Sequence, residues 1–257
     1  MTHWVIGDVQ GCAAALNDLI EALDLKPADK LWFVGDLVNR GEDSLGALRT
    51  VKALCERGIA QTVLGNHDFH LLGVYAGLRR IKGKDTIEPI LQAQDVDELI
   101  DWLRAQPLMI ENDSAIIVHA GLHPDWSIAE ARQKAALLHT RLADDDWREH
   151  LHNWFANPAS SESQDLSVFT RMRFFNQDGS LNWDSSDEPE NRPDLVPWYA
   201  MPTQRPRPKI IFGHWSALGY RNMPNAVSTD TGAVWGRELT AVNLHTPEHI
   251  VQVHRAL

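Results

Sequence analysis

Cysteine is nearly absent from this 257-residue chain: Cys12 and Cys55 are its only two, and they form no CxxC pair. A disulfide framework and a thiolate zinc site are therefore excluded, and each cysteine reads as a small apolar residue on a helix. Long apolar runs are also missing. No window approaches the ~20 apolar residues of a membrane span, and the first ten residues read as a strand running into polar residues, not as a secretory leader. A soluble cytoplasmic protein with no membrane partner is expected. Positive charge is scarce too: 24 Lys+Arg stand against 35 Asp+Glu, a formal net charge of −11. That balance argues against broad binding to nucleic acid. There is no internal repeat and no low-complexity tract. What remains is ordinary globular composition, 44% hydrophobic and 23% charged, enough to build a core unaided. Histidine alone is abundant, with twelve.

The first half alternates short apolar runs with helical periodicity. His3–Ile6, Leu31–Val34 and Ala60–Leu64 read as strands, separated by helical patterns over Ala13–Leu25 and Ser44–Arg57. This β-α-β-α-β order implies parallel strands joined by right-handed crossovers. Further on, the pattern predicts helices over Asp95–Ala105 and Ser127–Leu142, the latter opened by a Ser127/Glu130 capping box. Strands are expected at Ala115–Val118, Lys209–Phe212, Val227–Thr229, Leu239–Leu244 and Ile250–Val253. The stretch Asn157–Pro208 is rich in Ser, Asp, Pro and Asn. It reads as irregular insertion within a single domain spanning 1–257, with the insertions centred on 142–166 and 176–207.

Five predicted strands end in a metal-type ligand: Asp8, Asp36, Asn66, His119 and His214. Four of these directly follow a glycine, and His119 is followed by Gly121. In parallel α/β sheets ligands gather beyond the carboxyl ends of the strands, so residues far apart in sequence should converge. Taken singly, an Asp after a strand is more often a turn or helix cap, by roughly two to one. The joint occurrence is the signal. Two carboxylates, an amide and two imidazoles suit Mn²⁺, Fe or Zn²⁺ and exclude an iron–sulfur cluster.

The motifs Gly7-Asp8-Val9-Gln10-Gly11, Gly35-Asp36-Leu37-Val38-Asn39-Arg40-Gly41, Gly65-Asn66-His67-Asp68, His119-Ala120-Gly121 and Gly213-His214 resemble the signature of the calcineurin-like (phosphoprotein phosphatase) metallophosphoesterases. Leu64–Leu72, Phe169–Phe174, Gly213–Leu218 and Asp230–Gly232 narrow the resemblance to the bacterial symmetrical bis(5′-nucleosyl)-tetraphosphatases, the diadenosine tetraphosphatase branch. It runs from Trp4 to about the last strand. The resemblance implies a four-layer α/β/β/α sandwich with mixed sheets and a dinuclear metal site at strand C-terminal ends. It implies two divalent ions, Mn²⁺ first, with Mg²⁺, Co²⁺ or Fe as alternatives. Asp36 would bridge them, Asp8 and Gln10 would complete one site, and Asn66, His119 and His214 the other. His67 would be the general acid, and Arg40 would hold phosphate oxygens through its planar fork. The implied reaction is attack of a metal-bound hydroxide within the polyphosphate bridge of diadenosine tetraphosphate, giving two ADP. Dinucleoside-polyphosphate-capped RNA ends carry a similar bridge.

Two positions depart from the broader pattern. Gln10 stands where a histidine is usual, which predicts a weaker first site that favours Mn²⁺ or Mg²⁺. Asn39 stands where protein phosphatases carry the aspartate that orients the catalytic histidine, so Asp68 or a backbone carbonyl is expected to hold His67 instead. Arg171 and Arg173, placed on one face of an expected strand, and Lys82 and Lys84, in the densest basic run, are the further candidates for substrate phosphates. Trp215 is open between purine stacking and the core. The alternatives are a phosphoprotein or phosphomonoester phosphatase on the same fold, or a non-catalytic nucleotide-binding protein.

Overall fold

Short strands that are apolar on both faces need cover on both sides, and the sheets are stacked accordingly. The computed structural model describes residues 2–112, 114–203 and 208–254. In the first sheet β1 (His3–Ile6), β2 (Lys30–Phe33) and β3 (Ala60–Thr62) run parallel, while β12 (Glu238–Asn243) and β13 (Ile250–His254) add antiparallel strands on the β1 side. The second sheet repeats this plan. Its parallel strands are β5 (Ala115–Val118), β9 (Lys209–Phe212) and β11 (Ala226–Ser228), flanked by antiparallel β4 (Met109–Glu111) and β10 (Arg221–Asn222). A small third sheet sets β6 (Phe174–Phe175) between β7 (Leu181–Asn182) and β8 (Val196–Pro197).

Period-two alternation sorts each strand between two cores. Val5, Trp32 and Val34 of the first sheet meet Ala115, Ile117, Ile211 and Val227 of the second in a dry seam. The intervening Trp4, Ile6, Leu31 and Phe33, with Ile116, Val118, Ile210 and Phe212, point the other way into the larger core that includes the helices. Two packed sheets with helices outside them make the four-layer α/β/β/α sandwich. The crossovers α1 (Ala13–Ala22) and α2 (Ser44–Glu56) sit where the apolar spacing placed them. Asp43 caps α2 by accepting from the Gly46 amide at 2.7 Å. Next come α3 (Asn66–Tyr75), α4 (Glu88–Leu91), α5 (Val96–Arg104) and α6 (Ile128–Ala143). The reciprocal Ser127/Glu130 box opens α6.

Two expectations fail between 142 and 175. The stretch read as irregular forms α7 (Trp147–Ala156) and α8 (Ser161–Arg171). Its Ser/Glu/Gln-rich surface hid a helix that Ser160 caps and that buries Ser163, Leu166 and Phe169. The Trp154 indole donates to Glu162 at 2.9 Å and Ser163 donates to the Trp154 carbonyl at 3.1 Å, tying the two helices together. Arg171 and Arg173 consequently share no strand: the first ends α8 and the second precedes β6. From 176 to 203 the chain holds short strands and single 3₁₀ turns at Pro189–Asn191 and Trp198–Ala200. Residues 204–207 of that expected insertion lie outside the described residues.

Candidate metal centre and its basic pocket

Six parallel strands, three per sheet, end on one side of the sandwich. The residues that follow them are Asp8, Asp36, Asn66, His119, His214 and, after β11, Asp230. The backbone there is held in unusual conformations. Gln10 (φ 44°), Asp36 (51°), Asn39 (81°), Arg40 (73°) and His214 (65°) all occupy the left-handed region, which non-glycine residues avoid unless the surroundings impose it. The glycines beside the ligands answer to crowding. A Cβ on Gly213 would stand 2.0 Å from Asp8 Oδ1, and one on Gly65 would stand 2.2 Å from Asp36 Oδ1. Each glycine makes room for a carboxylate from a different strand.

Asp8, Asp36 and His119 offer ligand atoms that all lie within 4.8 Å of one another, and all three are buried. The His214 amide donates to both oxygens of Asp8, at 3.0 and 3.2 Å. Asp36 Oδ1 accepts from the His67 amide at 2.7 Å, and its Oδ2 lies 3.2 Å from Gln10 Nε2 and 3.5 Å from His119 Nε2. His119 Nδ1 donates to the Val34 carbonyl at 2.8 Å. That bond fixes the tautomer and leaves the Nε2 lone pair facing inward. Asn66 Oδ1 stands 3.2 Å from that same Nε2, so two lone pairs confront each other. Reversing the amide would relieve this by donating to His119 Nε2 and His214 Nδ1; a cation between the ligands does so with the oxygen in place. Gln10 Oε1 is likewise buried without a hydrogen-bond partner. The donor set fits divalent metal ions.

Electrostatics agree. Burial, followed by the charges of Asp230 and Asp36, pushes the Asp8 carboxyl well above its ordinary range. Burial also holds His119 and His214 below theirs, as neutral ligands. Carboxylates packed this closely are stabilised in their ionised form by a cation.

His67 lies in the first turn of α3, with Nδ1 3.0 Å from Asn39 Nδ2. The Asn39 amide cannot be turned round, because its Oδ1 already accepts from the amides of Arg40 (2.9 Å) and Thr86 (3.1 Å). Asn39 therefore donates, His67 Nδ1 accepts, and the imidazole proton sits on Nε2. This corrects the expectation that Asp68 or a carbonyl orients His67. Asp68 accepts from the backbone amides of Asp36 (2.8 Å), Leu37 (3.0 Å) and Gly65 (2.8 Å), and so stitches two strand-end loops together. Burial and then the Asp36 charge push its carboxyl up to about 8.

Beside His67 opens a cavity of about 620 Å³ lined by Asn39, Arg40, Asn66, His67, His70, Arg79, Arg80, Lys82, Asp85 and Arg171. Of the expected phosphate-binding residues, Arg40, Lys82 and Arg171 line it. Lys84 is exposed outside the lining, and Arg173 points elsewhere: its Nη2 donates to the His214 carbonyl at 3.0 Å. Burial lowers the Arg173 pKa to about 10. Trp215 is fully buried, 4.6 Å from the Phe174 ring, with its indole donating to the Asp187 carbonyl; it belongs to the core. Sequence reasoning gave no role to His70 or Asp85, took Arg79 and Arg80 only as part of the basic run that could meet distal phosphates, and used Asp230 only within a resemblance motif. For His70 the one available signal was its i, i+3 spacing from His67. The Arg79 guanidinium lies 3.7 Å over the Phe155 ring, and burial, then the Arg171 charge, lowers its pKa.

Residues 1–226 match the model of the calcineurin-like phosphoesterase family. A relative from Janthinobacterium sp. (strain Marseille) is 41% identical over 266 residues, covering 98% of this chain and 96% of its own. One from Ralstonia nicotianae is 43% identical over 252 residues, covering 93% and 88%. Both are named symmetrical bis(5′-nucleosyl)-tetraphosphatase. A crystal structure provisionally assigned as a diadenosine tetraphosphatase matches with a TM-score of 0.69 at 26% identity, over 99% of this chain and 94% of that one. A protein serine/threonine phosphatase from Saccharomyces cerevisiae shares the fold, with a TM-score of 0.57 at 15% identity over 100% and 80%.

Proposed function

The chain belongs to the calcineurin-like phosphoesterase family, and from that membership we propose that it is a metal-dependent hydrolase that cuts diadenosine tetraphosphate symmetrically into two ADP. The observation that carries the reading is the junction at Asn66–His67, where a cluster of metal-type ligands meets a cation-lined cavity sized for a polyphosphate. Because the fold also serves protein phosphatases, the substrate must be argued from the site. The relatives' names supply the substrate class.

Asp8, Gln10 and Asp36 would hold one ion, and Asp36 with Asn66, His119 and His214 would hold the other. Oxygen and imidazole donors without thiolate favour Mn²⁺, and Mg²⁺, Co²⁺ and Fe suit the same set. When bound, the ions supply an activated water and a positive clamp on the attacked phosphoryl group. Arg40, Lys82 and Arg171 neutralise and orient the polyphosphate running past the ions. His67 turns its Nε2–H towards the leaving ADP oxygen as a hydrogen-bond donor; with Nδ1 accepting from Asn39 the ring is neutral, so it steadies the charge on the departing oxygen without transferring its proton. The cluster holds carboxylates and an imidazole but no serine or cysteine, so water would be the nucleophile. The same bridge at a dinucleoside-polyphosphate-capped RNA end meets the same groups. Two free cysteines and the absence of a membrane-spanning helix among the described residues are compatible with work in the cytoplasm.

The test is to strip the protein with a chelator and restore Mn²⁺, assaying diadenosine tetraphosphate beside a phosphopeptide. Dinucleotide turnover that vanishes on stripping and returns with Mn²⁺ is expected, with little phosphopeptide turnover. Full activity of the stripped protein, or preference for the phosphopeptide, would overturn the reading.

A further inference from the structure

Asp85 is the one carboxylate lining a cavity that also carries Arg40, Arg79, Arg80, Lys82 and Arg171. Its side chain is fully buried, and a negative charge there opposes the binding of an anion. The bonds it makes resolve the contradiction. Oδ1 accepts from Asn39 Nδ2 and from an Arg40 guanidinium nitrogen, each at 3.1 Å. Oδ2 lies 2.7 Å from His70 Nε2 and accepts from the Lys82 amide at 2.7 Å. A carboxylate offers about four acceptor positions, so none remains to meet a phosphate or an ion. Burial alone would raise this carboxyl; the bonds from the Lys82 amide, His70 and Asn39 outweigh it and hold its pKa at about 2.

We propose that Asp85 is the positioning residue of the site, holding His67 through Asn39 and Arg40 directly, and so fixing the hydrogen-bond donor and the phosphate clamp to one charge. The proposal rests on the hydrolase reading above. Asn39 reaches His67 with the same amide nitrogen that reaches Asp85, so Asp85 helps aim the donor. Arg40 has no other carboxylate partner among the described residues. His70 anchors the hub to α3 one turn after His67, and the Lys82 amide anchors it to the basic loop. The loop that receives the polyphosphate and the group that donates a hydrogen bond to its leaving oxygen thereby share one anchor.

The test is a double-mutant cycle on the Mn²⁺-loaded protein with diadenosine tetraphosphate. Asp85→Asn should lower kcat about 10-fold and Asp85→Ala about 100-fold, the scale of misplacing a reacting group by an ångström, with KM raised severalfold through Arg40. In a His67→Asn background the kcat effect should shrink to about twofold, because the donor that Asp85 aims is gone. An effect of the same size in both backgrounds, or kcat of Asp85→Asn within about twofold of the parent, would overturn the proposal. A second readout needs no turnover. The imidazole ¹⁵N spectrum of the Mg²⁺-loaded protein should show His67 as the Nε2–H form, changing to a mixture in Asp85→Asn; an unchanged tautomer also overturns it. If the parent protein makes no ADP, the hydrolase reading fails on its own, while the tautomer experiment still decides whether Asp85 governs His67.

Discussion

Two halves of one cleft meet at His67, and they are built differently. On one side Asp8, Asp36, His119 and His214 are buried on the ends of strands, fixed by bonds to backbone amides and carbonyls. On the other, Arg79, Arg80, Lys82 and Arg171 come from one loop and one helix end and are at least partly exposed. The ligand cluster has donors in need of cations, whereas the pocket has cations in need of anions. In the proposed reaction, chemistry that depends on ångström placement falls to the buried half, and recognition of a long flexible chain falls to the exposed side chains. Asp85 and Asn39 join the two halves.

The contrast is broken most severely at the shared carboxylate. Asp36→Ala should remove bound metal and lower turnover by roughly 10³-fold or more, beyond the 10–100-fold typical of residues behind the ligands; metal content by mass spectrometry and initial rates check both. His67→Asn should leave metal content intact and lower kcat by about 10²–10³-fold, as expected for loss of one donor to the charge that develops on the leaving oxygen, with little change in KM. On the pocket side the effect moves to binding. Arg79→Ala or Arg171→Ala should raise KM by about 10-fold, the scale of a charge-assisted hydrogen bond, while kcat changes less than about threefold. A kcat collapse in either variant would erase the division of labour.

The smallest effect is on stability. Burial first of all raises the carboxyls of Asp8, of Asp230 to about 7 and of Asp68 to about 8. A carboxyl whose folded pKa is raised keeps its proton where the unfolded chain has released it. Stability of metal-stripped protein should therefore fall as pH rises from the ordinary carboxylate value of 3.8 toward about 8. Mn²⁺ favours the ionised ligand and should flatten that fall. Melting temperatures across this range, with and without the ion, measure the difference; identical slopes would contradict it.

The same contrast explains what could be read in advance. The metal-type cluster was legible because a parallel strand ending in glycine and a donor leaves a local mark, four times over, with His119 marked by a glycine two residues on. The four-layer sandwich was implied by the family resemblance; the alternating strands alone gave a parallel β-α-β order. The pocket left a fainter mark: Arg40, Arg171 and a basic run, with nothing to show how they meet. Arg79 and Phe155 meet across 76 residues of sequence, and Asp85 reads as one acid in a basic run until Asn39, Arg40 and His70 are brought round it. Asn39 appeared as a missing aspartate, although its amide holds His67 from the same position. Helix α8 was hidden for a related reason: its polar outer face outweighs the few residues it buries.

The central claim is that water attacks the middle of the bridge, with ADP leaving past His67. Its most direct test is product analysis of diadenosine tetraphosphate hydrolysed by the Mn²⁺-loaded protein in ¹⁸O-water. Two ADP should form per substrate, one of each pair carrying a single ¹⁸O on its terminal phosphate. AMP and ATP as products, or ADP without label, would contradict the account.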